Sequence, residues 1–158
     1  MASPLNPLSD AFPMENTPVR PPTWFRVVSV IAVVWMLFGV LAWVMDLLMD
    51  ESALAQMSEA QRRVYLSRPQ WLFVVYAVAV FSGLIGAVGL LLRRGWAVPA
   101  LGTSLVAVVI QFAGTFLLMD VIAELGAAAA LPFPLVIFLI GLGLLMLARH
   151  ARRQGWLG

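Results

Sequence analysis

The sequence predicts an all-α fold, a four-transmembrane-helix bundle, from where charge is absent, how little there is and where tryptophan falls. No charged residue lies in Val27–Met45 (19 residues), Pro69–Leu92 (24), Gly95–Met119 (25) or Leu125–Ala148 (24). A helix of about 20 apolar residues crosses ~30 Å of hydrocarbon, so each window is long enough to span a bilayer. Only 11% of the 158 residues are charged and 62% are hydrophobic, whereas a soluble domain carries roughly 25% charged residues. Trp24, Trp96 and Trp156 fall at one set of window boundaries, Trp43 and Trp71 at the other, and Trp35 alone near mid-span. Indole prefers the headgroup level, where its apolar body and its N–H are both accommodated.

Residues 1–23 hold six of the ten prolines, which reads as an extended, disordered cytoplasmic tail. It is not a typical secretory signal, because the apolar stretch starts only at Val27 and exceeds the usual ~7–15-residue signal core. Residues 24–156 form one membrane domain, with spans expected at about 25–46, 69–92, 96–119 and 131–148 and an outer loop at 47–68.

Arginine sets the orientation. Arg20, Arg26, Arg93, Arg94, Arg149, Arg152 and Arg153 flank one side, against Arg62, Arg63 and Arg68 on the other. Seven against three places both termini and the short middle loop in the cytoplasm. In the outer loop, Ser58-Glu59-Ala60-Gln61 has capping-box spacing, and Val64 and Tyr65 give the next turn an apolar side. A short helix over the outer ends is expected there, with Pro69 in the first turn of span two.

The halves echo each other. Val33-Val34, Gly39 and Met45-Asp46 match Val108-Val109, Gly114 and Met119-Asp120, and Arg93-Arg94-Gly95-Trp96 is echoed by Arg152-Arg153-Gln154-Gly155-Trp156. The pattern is compatible with a tandem repeat of two helical hairpins, and equally with any hairpin having basic inner ends and interfacial tryptophan.

Within the spans, Ser82/Gly86 and Gly83/Ala87 put small residues at i and i+4, the spacing that lets a neighbouring helix approach closely. Ser104, Gln111 and Thr115 lie within roughly 40° of one another on span three, a polar stripe to which mid-span Trp35 is a candidate companion. An amide in hydrocarbon must find a partner, so the stripe is read as interhelical hydrogen bonding ahead of a solute-facing wall.

Absences narrow the function. No titratable side chain lies mid-span, where a proton-coupled transporter would need one. There is no cysteine, and His150 is the lone histidine, in a basic segment. Thiolate chemistry is thereby excluded, and neither a metal site nor a catalytic triad is expected. No cofactor and no enzymatic activity are expected. Basic residues beside spans are explained by membrane topology and need no nucleic-acid partner.

The runs Arg93-Arg94-Gly95-Trp96-Ala97-Val98-Pro99 and Val34-Trp35-Met36-Leu37-Phe38-Gly39, and Ala148 to Trp156 with its Arg149-His150 and Arg152-Arg153 pairs, resemble a family of small four-span bacterial inner-membrane proteins. That family is largely uncharacterised, and automated naming often labels its members "sugar transporter". The resemblance covers roughly Trp24 to Trp156 and implies no catalytic or binding residue. An asparagine often follows the span-one tryptophan in that group, and Met36 stands there instead. The expectation is a non-enzymatic accessory or interaction protein whose partners are the bilayer and a second copy or another membrane protein. The alternative is a small oligomeric facilitative transporter of sugars or another small solute, with Trp35, Gln111 and Thr115 lining the path.

Overall fold

The computed structural model describes residues 20–158, so the proline-rich tail expected at 1–23 lies almost wholly outside the described residues. Eight helices and no strand are described: α1 (Thr23–Leu47), α2 (Glu51–Ala55), α3 (Glu59–Leu66), α4 (Gln70–Leu91), α5 (Ala97–Leu118), α6 (Val121–Leu125), α7 (Ala127–Ala130) and α8 (Pro132–Arg153). Of these, α1, α4, α5 and α8 are long and apolar enough to cross a membrane. The outside of the bundle is covered by large apolar side chains such as Ile31, Phe38, Val74, Val106, Leu117 and Met146. A surface so extensively apolar is solvated by lipid, and the chain is a multi-pass membrane protein.

Helix ends follow local chemistry. α1 begins after Pro21-Pro22, and α8 carries Pro132 in its first turn, where the missing N–H has no intrahelical partner to lose. Pro69 stands one residue before α4, not inside its first turn as expected, and its carbonyl accepts from Leu72 N at 3.1 Å. α8 continues to Arg153, past the charge-free window, because arginines end the hydrocarbon-compatible stretch without interrupting backbone hydrogen bonding. Between α5 and α8 the chain breaks at Asp120 (φ 46°) and Gly126 (φ 81°), leaving the one-turn helices α6 and α7.

The spans alternate in direction, with α4 and α5 as the central pair, α1 against α4 and α8 against α5. A core of Phe25, Ala32, Ala87, Leu90, Leu101, Leu145 and Ala148 joins all four towards the end that carries the α4–α5 turn. Each arginine-rich helix end closes with a left-handed residue. For α4 it is Arg93 (φ 57°), with Arg94 N donating to Gly89 O at 2.8 Å and Arg93 N to Leu90 O at 3.1 Å. For α8 it is Gly155 (φ 70°), with Trp156 N donating to Ala151 O at 2.9 Å. Both are Schellman closures. The similar arginine–glycine–tryptophan runs are therefore used in different registers: Gly155 is the left-handed residue of one, whereas Gly95 is not that of the other. Gly39 and Gly114, matched in sequence, both face α4, so the two hairpins pack non-equivalently.

The connection between α1 and α4 holds two capped helices. Asp50 Oδ1 accepts from Ala53 N at 2.9 Å to open α2. Ser58 and Gln61 form the reciprocal capping box of α3, with Gln61 N donating to Ser58 Oγ at 3.3 Å and Ser58 N to Gln61 Oε1 at 3.1 Å.

Candidate functional site

Close approach along α4 dominates the interior. A Cβ added at Gly83 would lie 2.8 Å from both Met36 Sδ and Ser104 Oγ, so α1, α4 and α5 converge there. At Gly86 it would meet Leu101 Cγ at 2.6 Å and Leu101 N at 3.0 Å, at Gly89 the Trp96 ring at 2.7 Å, and at Gly114 of α5 the Leu72 side chain at 2.6 Å. An added side chain would have to displace a neighbour at each of these positions, and at Gly86 that neighbour includes the Leu101 backbone, which a rotamer change cannot move. Ala87 is fully buried in the core. Ser82 is half-buried, and its hydroxyl donates back to the carbonyls of Val78 and Ala79, tying it to its own helix.

The polar stripe is divided in use. Ser104 is buried and donates to Ala79 O of α4 at 2.7 Å, an interhelical bond at the glycine junction. Gln111 and Thr115 are half-buried further along α5, and Gln111 Oε1 is buried with no hydrogen-bond partner. Trp35 lies on the exposed flank of α1 at 36% exposure, away from the Phe25, Ser29 and Ala32 face that packs inward. The indole and the three polar groups therefore do not line one enclosed space.

Two hollows open to the outside. One, of about 360 Å³, is a lipid-facing groove between α4 and α5 lined by Val74, Val78, Gly102, Thr103, Val106 and Ile110. The other, of about 270 Å³, lies under α3 and is lined by Met57, Val64, Tyr65, Arg68, Met119 and Leu125.

Charge pairs hold α3 over the bundle. Arg68 Nη1 lies 2.6 Å from Asp46 Oδ2 at the end of α1, and its guanidinium covers the Tyr65 ring at 4.8 Å. Arg63 forks onto Glu124 of α6, with Nη2 to Oε2 at 2.7 Å and Nε to Oε1 at 3.3 Å. The Arg63 hydrogen bond, more than its charge alone, holds the Glu124 carboxyl below the ordinary carboxylate range. A depressed folded value keeps this contact intact at and above the ordinary range and loses it only as pH falls through the lowered value. Protection of the α3 amides, corrected for the intrinsic pH dependence of exchange, should accordingly be unchanged from neutral pH down to about pH 5 and fall only slightly below that, because the pair is largely exposed.

Sequence reading missed the seats of Met36, Gly89 and Gly114, and both cross-loop ion pairs. The i, i+3, i+6 spacing of Gly83, Gly86 and Gly89 and the opposite charges at hairpin ends were the available signals. Among the described residues, no three His, Cys, Asp or Glu side chains group closely enough to hold a metal ion. No protein family, curated protein or solved structure gives a significant match to the chain.

Proposed function

We propose that this chain is a non-enzymatic accessory or interaction protein of the bacterial inner membrane, with both termini in the cytoplasm. The observation that carries the reading is the filled α1–α4–α5 junction, where Met36, Leu101 and Ser104 leave no room even for a Cβ on Gly83 or Gly86. A solute path needs an aqueous, polar-lined gap between helices, and the one buried hydroxyl of the stripe is committed to Ala79 O. The seven-to-three arginine distribution supports the orientation. A reporter active only in the periplasm should be silent when fused after Gly158 or Arg94 and active when fused within residues 51–67. Activity after Gly158 would reverse the assignment.

Function is tested by reconstitution. Purified protein in liposomes, offered a panel of labelled sugars, should give no uptake above protein-free liposomes. Cross-linking in native membranes should yield a discrete adduct with a second copy or another membrane protein. The buried, unpartnered Oε1 of Gln111 favours facilitated transport as a second reading. Gln111→Leu separates the two. Leucine has similar bulk without the amide, so stability in detergent should change by only about 1 kcal/mol in either direction. Loss of a sugar flux in a stable, inserted Gln111→Leu protein would favour transport.

A further inference from the structure

Three segments bring arginine to one end of the bundle: the start of α1 (Arg20, Arg26), the α4–α5 turn (Arg93, Arg94) and the end of α8 (Arg149, Arg152, Arg153). All seven are exposed. The six acids among the described residues lie in or beside the connections at the opposite end. Arg63 and Arg68 at that far end each have a carboxylate within 2.7 Å, whereas among the described residues none of the seven forms an ion pair. Orienting the chain needs an excess of arginine on one side, but it does not need that excess left without counter-charge among the described residues.

The rim is also held in shape. Gly158 N donates to Arg93 O at 2.9 Å and Gly95 N to Gly158 O at 2.6 Å, tying the α4–α5 turn to the segment after α8. Leu157 is buried in the core, and Trp156 meets Trp24 and Phe25 edge-on at 6.0 and 5.5 Å. Trp24 and Trp96 remain partly exposed on the same rim, which sets it at headgroup depth. A guanidinium fork matches the paired oxygens of a phosphodiester.

From this rim we infer a binding surface for anionic phospholipid headgroups. The partner must be negative, rich in phosphate oxygens and resident at the interface, and clustered arginines beside membrane spans bind such headgroups. Zwitterionic phosphatidylcholine carries the same phosphate, but its ammonium offsets the charge.

The test uses the full chain in detergent micelles, titrated with dioleoyl phosphatidylglycerol or dioleoyl phosphatidylcholine and read by native mass spectrometry and thermal unfolding. Phosphatidylglycerol should be retained and should raise the melting temperature; phosphatidylcholine should do neither. Each arginine near an anionic surface contributes about fivefold, so R149Q/R152Q/R153Q should weaken retention roughly a hundredfold. R62Q, at the far end, should leave it unchanged. Should the triple variant fail to fold, salt replaces it: raising NaCl to about 0.5 M should strip phosphatidylglycerol from the unaltered chain. Equal retention of both lipids, insensitivity to the triple substitution or to salt, or displacement by inorganic phosphate at equal concentration would overturn the inference.

Discussion

Gly86→Leu should lower stability in detergent by about 3 kcal/mol, the upper part of the range for forcing extra carbons into a filled core. A Cβ at this position lies 2.6 Å from Leu101 Cγ and 3.0 Å from Leu101 N. The backbone nitrogen cannot move aside by a rotamer change, so α4 and α5 must separate. Even Gly86→Ala should cost about 1–2 kcal/mol, although alanine favours helix over glycine. Gly83→Leu should also destabilise, less steeply, because Met36 can repack its flexible thioether. Gly102→Leu is the control: an added Cβ there meets nothing within 4 Å, and the change should be close to neutral. Unfolding of Gly86→Leu at the same temperature as the unaltered chain would show that the two helices do not meet here.

Asp46→Asn should cost about 2 kcal/mol, because it leaves the Arg68 guanidinium without its carboxylate in a site where the side chains are only 20% and 14% exposed. Arg68→Met should cost a similar amount. The double substitution should cost less than the two together, since the second change removes a charge already stranded by the first. Arg63→Gln should have little effect, because the Arg63 and Glu124 side chains remain 59% and 32% exposed and water screens them. Additive effects at Asp46 and Arg68 would dissolve the link between α3 and the end of α1.

The bundle was legible because charge exclusion from hydrocarbon is a strong, one-dimensional constraint. Arginine beside Val27, Leu92 and Ala148 marks the boundaries without any knowledge of contacts. The α3 capping box was legible for a similar reason, since Ser58 and Gln61 satisfy each other locally. Which polar group meets which was not legible. Periodicity puts Ser104, Gln111 and Thr115 on one stripe, yet only the rotation and depth of α4 decide that Ser104 reaches Ala79 O while Gln111 Oε1 reaches nothing. Small-residue spacing likewise pairs Ser82 with Gly86, but Ser82 turns its hydroxyl to its own helix. The echo between halves does not fix the closing residue: arginine, glycine and tryptophan suit any helix end at a membrane boundary, and Arg93 and Gly155 take the same left-handed role from different places in similar runs.

Whether water enters the bundle can be tested directly, because the chain has no native cysteine. Single substitutions Gln111→Cys, Ser104→Cys and, as the exposed reference, Ser52→Cys can each be reconstituted in liposomes and treated with a small, charged, membrane-impermeant thiol reagent. Labelling at Ser52→Cys should reach every molecule whose α2 end faces the outside of the liposome, and should be absent at Ser104→Cys and Gln111→Cys. Labelling of Gln111→Cys as fast as the reference, slowed by a bound sugar, would show a water-filled path through the bundle and contradict the account.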